Sequence, residues 1–145
     1  SPQDYRNSLR AARAAGLKTA PHIVLGLYNG QIRGEYQALD MVAGEGADAL
    51  VLVVLKPLPG TAMARVQPPE FGEVEAFFKA ARDMLPDMPI ALGCARPPGR
   101  YAREIERAAV DAGFDAIAFP AEETIDYAVA GGLDITFSQH CCGVV

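Results

Sequence analysis

The sequence predicts an α/β fold with parallel strands, on two observations: stretches of helical periodicity alternate strictly with short apolar runs, and those runs show no in-out alternation. Strands of a parallel sheet are covered on both faces and read as nearly continuous Val, Ile and Leu, whereas a half-exposed strand alternates apolar with polar. With 145 residues, of which 50% are hydrophobic, the chain has the material for one domain with a real core.

QDYRNSLRAARAAG opens the chain as a helix, with Tyr5, Leu9 and Ala12 near helical spacing and Gly16 placed to end it. HIVLGL, residues 22 to 27, is the first buried strand. GEYQALDMVAGEG carries Tyr36, Leu39, Met41 and Val42 on a helical stripe and leads into ADALVLVVL, the second strand. After the proline-rich KPLPGTAMARVQPP, a helix with Phe71, Val74, Phe77, Phe78, Ala81 and Leu85 on one face precedes the strand PIALGC. YAREIERAAVDAG turns Ile105, Ala108 and Ala109 inward before the strand DAIAFP. AEETIDYAVAGG is a helix whose opening acids suit its dipole, and LDITFS is a last, more polar strand before HCCGVV, giving five strands and five helices.

This order implies parallel strands joined by right-handed crossovers, in either an open doubly wound sheet or a slice of a barrel. Pattern alone does not choose between them. Both architectures place the ligand site at the carboxyl ends of the strands. The residues there are Tyr28 and Asn29, Lys56 with its PLPGT turn, Cys94 and Arg96, Pro120 with Glu122 and Glu123, and finally His140, Cys141 and Cys142.

A net charge of -5 without clustered basic residues argues against nucleic acid or an anionic membrane as partner. No run approaches the roughly 20 apolar residues of a membrane span, and no secretory signal opens the chain, so the expected setting is cytoplasmic. Three cysteines, two of them adjacent, do not make a disulfide framework. There is no Walker-type phosphate loop, HExxH or CxxC.

Arg96, at a strand end among prolines, suits a bidentate grip on a carboxylate or phosphate, against the plainer role of capping its loop. Cys94 alone reads as a small buried hydrophobe. Cys141 and Cys142 form a thiol pair that suggests metal binding, sulfur carriage or disulfide exchange. His22, at the start of its strand, reads as a satisfied core residue, and Glu122 and Glu123 as helix-opening charges.

PHIVLGLYNG, ALVLVVLKPLPGTAM, ALGCARPPGR and DAGFDAIAFPAEE, in this order and spacing, resemble the last four βα units of biotin synthase-like radical S-adenosylmethionine (radical SAM) enzymes. The resemblance implies a partial TIM-like (βα) barrel, its C-terminal half over residues 1 to 145, ending in a strand and the HCC tail. The family's G-x-I-x-G-x-x-E strand, whose backbone flanks the adenine of SAM, falls on His22, Val24, Gly26 and Asn29, of which Gly26 is identical and Val24 conservative. Val54 and Leu55 would face the adenosine, and Arg96 matches an arginine beside an auxiliary iron–sulfur cluster. The companion cysteine is replaced by Ala20, so any auxiliary cluster would draw on Cys94, Cys141 and Cys142. In this respect the chain is closer to archaeal-type homologues and to one component of two-protein lipoyl synthases than to biotin synthase.

The implied reaction is sulfur insertion at an unactivated carbon of a lipoyl- or biotin-type substrate, free or protein-bound, with SAM and a [4Fe-4S] cluster as cofactors and a second radical SAM subunit as a candidate partner. The CxxxCxxC loop that binds that cluster is not in this sequence, and a whole barrel takes about 250 residues, so the chain reads as a fragment that does not cleave SAM alone. Two rival readings stand beside it. One is a non-radical βα-barrel lyase or aldolase with Lys56 as Schiff-base lysine. The other is an open α/β module that binds a small molecule.

Overall fold

A computed structural model describes residues 1–140. Cys141 and Cys142 lie outside the described residues. The order is α1 (Pro2–Ala14), β1 (His22–Leu25), α2 (Glu35–Glu45), β2 (Leu50–Val54), α3 (Phe71–Met84), β3 (Ile90–Leu92), α4 (Arg100–Asp111), β4 (Ala116–Ile117) and α5 (Glu122–Ala130). The four strands form one all-parallel sheet in the order β1-β2-β3-β4.

One strand expected from the sequence is not formed. LDITFS was expected to add a fifth strand, but residues 133–138 have no regular structure and lie exposed. Half of their side chains are polar, and the neighbouring edge, β4, offers a ladder of just two residues, Ala116 and Ile117. So short an edge gives little backbone pairing to hold a further strand.

Alternation along the strands sorts their side chains onto two faces. Ile23, Leu25, Leu50, Leu52, Val54, Ile90 and Leu92 join the main core with residues of α2, α3 and α4. Phe77 and Phe78 of α3 are fully buried there, each contributing about 1.5–3 kcal/mol by leaving water. Val51, Val53 and Ala91 form a second, smaller cluster with Ala20, Val24 and Ala116 against it, and among the described residues no helical one belongs to it. The sheet is therefore helix-covered on one face and lined by small apolar residues on the other. Strand β2, central in the order, is buried at all five positions.

Helix α1 has no buried residue. It is tethered through Glu45 of α2, which accepts from Arg6 and twice from Arg10, while Arg13 donates to the Glu45 carbonyl. At the end of α3, Arg82 donates to the carbonyls of Leu85, Pro86 and Met88 and to Asp115, and Asp115 also accepts from the Ile90 N–H. That bridge fixes the starts of β3 and β4 together. No described helix is long and apolar enough to cross a membrane.

Candidate functional site at the carboxyl ends of the strands

Four loops leave the sheet at its carboxyl edge, and two buried carboxylates organise them. Glu35 is 6% exposed. One of its oxygens accepts from the Gly26 N–H, the other from the N–H groups of Arg33 and Gly34. Gly34, the residue at the α2 N-cap, has no side chain to cap with, so the next residue supplies the oxygens and in doing so pins the end of β1 to the start of α2. Between them Arg33 lies over the Tyr28 ring at 4.3 Å, a cation–π contact.

Glu106 of α4 is the second. One oxygen accepts from Arg96 Nε at 2.9 Å, the other from the Ala121 N–H at 2.8 Å and the Thr124 hydroxyl at 2.6 Å. Burial alone would push this carboxyl up, but the bonds from Thr124, Ala121 and Arg96 outweigh it and hold Glu106 below the ordinary carboxylate range. Arg96, 8% exposed, spends its remaining donors on backbone: Nη1 on the Gly93 carbonyl, Nη2 on those of Ala118 and Phe119, each at 2.8 Å. Its guanidinium thus clamps the exits of β3 and β4 to each other and to α4 and α5, which leaves little of it to grip a ligand.

The loops after β1 and β2 are packed against each other. Gly26 (φ +87°) and Gly30 (φ +83°) adopt the left-handed conformation. A Cβ on Gly26 would stand 2.4 Å from Pro69 Cγ, and one on Gly30 would stand 2.1 Å from the Gln67 carbonyl oxygen. Pro69 is held from the other side by the Tyr101 hydroxyl, which donates to its carbonyl. Burial, then the charges of Glu70, Glu104 and Glu73, push the Tyr101 phenol up to about 12. Tyr101 therefore stays a donor at neutral pH.

The residues singled out from the sequence separate on this rim. Val24 and Leu55 lie at the helix-free side: Val24 packs on the second cluster, and Leu55 continues the ladder by donating to the Leu25 carbonyl, which gives it the parity of Val51 and Val53. Asn29 is exposed with φ +51°. Val54, expected to face a nucleoside, is fully buried in the helix-side core and presents no surface to the rim; strand parity puts it opposite Leu55. Gly26 has its N–H committed to Glu35 and its Cα against Pro69. Cys94, read alone as a buried hydrophobe, is an exposed free thiol. His22 is exposed too, its Nδ1 2.9 Å from the Ala20 carbonyl. Lys56 stands exposed beyond β2.

Among the described residues, no group of three or more His, Cys, Asp or Glu side chains is placed to hold a metal ion. One cleft of about 290 Å³ is lined by Arg13, Lys18, Thr19 and Asp48 at the opposite end of the sheet, and another, on the helix side of the carboxyl edge, by Ile32, Tyr36 and Glu73 between the starts of α2 and α3. Sequence reasoning passed over Glu35, Tyr101, Glu106 and Phe119. For Glu106 a signal existed, since it sits three residues before Ala109 on the inward stripe of α4, where a carboxylate needs a partner.

No protein-family model, curated protein or solved structure matches this chain.

Proposed function

We propose that the chain is the C-terminal half of a radical SAM barrel, in an enzyme that inserts sulfur at an unactivated carbon. The observation that carries this reading is the strand order. An open doubly wound sheet reverses its order at a switch point and takes helices on both faces. Here β1 to β4 run in sequence without reversal, and among the described residues no helical side chain joins the face of Val24, Val51, Val53, Ala91 and Ala116, as in a segment of a barrel wall. The four motif segments that resemble the biotin synthase-like family supply the chemistry.

When bound, SAM and its [4Fe-4S] cluster supply the radical that breaks an unactivated C–H bond. The cluster's CxxxCxxC loop would come from other residues of a longer chain or from a partner subunit. For the adenosine, the half-buried Val24 and the exposed Asn29 have surface to offer, whereas Val54 and Leu55 are buried, and Gly26 serves to let the β1 and β2 loops meet. Cys94 is accessible as one thiolate ligand or sulfur acceptor. Arg96 acts by holding the β3 and β4 exits in place rather than by touching substrate. The lyase reading gains no support, because a Schiff-base lysine needs desolvation or a cationic neighbour to be nucleophilic and Lys56 is exposed.

The test is anaerobic reconstitution of the complete natural reading frame with iron and sulfide, followed by assay for 5′-deoxyadenosine from SAM under dithionite. Cleavage with a bound four-iron cluster is the expected result. A protein that takes up no iron and cleaves no SAM overturns the reading.

A further inference from the structure

Helix α1 turns an unusual stripe toward the rest of the fold. Arg6, Arg10 and Arg13 recur at i, i+4 and i+7, the spacing by which a surface helix ordinarily presents an apolar face to the core. No residue of α1 is buried, and its half-buried ones are Arg6, Leu9 and Ala12, so the packing that holds most helices in place is nearly missing. Among the described residues, every side-chain hydrogen bond from α1 to another element ends on one residue of α2. Glu45 accepts from Arg6 Nη1 at 3.1 Å and from Arg10 through both oxygens at 2.7 Å, while Arg13 donates to its carbonyl at 3.0 Å.

The receiving side serves this contact and nothing within α2. Glu45 lies in the last turn of that helix, which holds no basic residue, and a carboxylate at the negative end of the helix dipole is unfavourable unless cations reach it from elsewhere. Beside it Gly46 leaves the space that Arg13 enters, since a Cβ there would stand 2.9 Å from Arg13 Nη1. Charge divides along the chain in the same way. Residues 1–18 hold four of the 13 basic side chains and one of the 18 acidic ones, so a cationic lead segment lies on an acidic body.

We propose that α1 is an electrostatic latch, which leaves α2 as a unit when ionic strength rises while the sheet and its carboxyl-edge loops stay folded. Arg10 is 61% exposed, so salt has access to the pair and screens it. A free helix of 13 residues is too short to persist in water, which makes release and melting one event. The opening stops at Thr19, whose carbonyl accepts from the Asp48 and Ala49 N–H groups and whose own N–H donates to Asp48. Those bonds belong to the start of the sheet and hold without α1. The open state frees three arginines and uncovers Glu45, so the chain has two charge surfaces selected by ionic strength.

The test is native-state hydrogen exchange of the 145-residue chain at about 0.01 M and about 1 M NaCl, where charges are screened beyond about 30 Å and about 3 Å. Amides in the second half of α1 should lose protection roughly fivefold to thirtyfold at high salt, the factor that a few exposed ion pairs supply. Glu45→Gln, which keeps the shape and removes the charge, should show that loss already at low salt. Amides of β2 should not change under either treatment. Protection in α1 that survives salt or the Gln substitution, or that falls together with the protection of β2, overturns the latch.

Discussion

Replacing either member of the Arg96–Glu106 pair strands the other charge in a site where both side chains are under a tenth exposed. An uncompensated buried charge costs about 3–5 kcal/mol, although the intact pair adds less than that to stability because both ions lost their water on folding. Arg96→Leu and Glu106→Leu should therefore each lower the unfolding free energy in urea by about 3–5 kcal/mol. The double variant should lose clearly less than the sum, because the second change removes the stranded partner. Strict additivity would show that the two side chains act independently. Tyr101 gives a pH-dependent counterpart. Its phenol ordinarily titrates near 10.0 and is raised to about 12 in the fold, so the folded chain favours the protonated, donating form. The stability this contributes is complete below pH 10 and lost as pH rises toward 12. Alkaline melts should show a loss over that window which Tyr101→Phe lacks; identical profiles would remove the Tyr101–Pro69 tie from the account.

At the scale of elements, two glycines predict opposite outcomes for the same substitution. Gly93 follows β3 with its Cα against β2: an added Cβ would stand 2.4 Å from Val53 Cγ1 and 2.9 Å from Val51 Cγ1, and β-branched side chains do not turn aside cheaply. Gly93→Ala should cost about 1–3 kcal/mol by overpacking. Gly44 lies within α2 with nothing near its missing Cβ, so Gly44→Ala should gain roughly 0.5–1 kcal/mol of helix propensity. Thermal melts of the pair decide, and equal shifts would refute the packing of β3 on β2. The same elements show why the fold was largely legible and the rim was not. Unbroken apolar runs such as LVLVV can only be strands buried on both faces, and the stripe Val74, Phe77, Phe78, Ala81 has one inward side, so α3 and β2 follow from local pattern. LDITFS has the right pattern for an edge strand but no partner in the described chain, which local pattern does not record. The use of Arg96 was equally hidden, because it depends on Glu106, ten residues on in a different element, and on carbonyls of Ala118 and Phe119 that any sequence would carry.

For the whole molecule, the sheet is held unevenly, and that unevenness tests its architecture. β2 is paired on both sides, to β1 and to β3, and buried at every position. β4 pairs on one side over two residues, and β1 likewise has a single neighbour. Amides that open only with global unfolding are those of strands secured on both edges, while single-edged strands and exposed irregular segments exchange through local fraying. The 145-residue chain alone should show slowest hydrogen exchange across Leu50 to Leu55 and across β3, which is also paired on both sides, intermediate protection in β1, and little in β4 or residues 132–140. In the complete natural protein the barrel reading requires more. Closure would give β1 and β4 second neighbours, so protection at both edge strands should rise toward that of β2. If the edges still exchange rapidly there while β2 stays protected, the sheet ends at β1 and β4, and the chain is an open α/β module instead of a barrel segment.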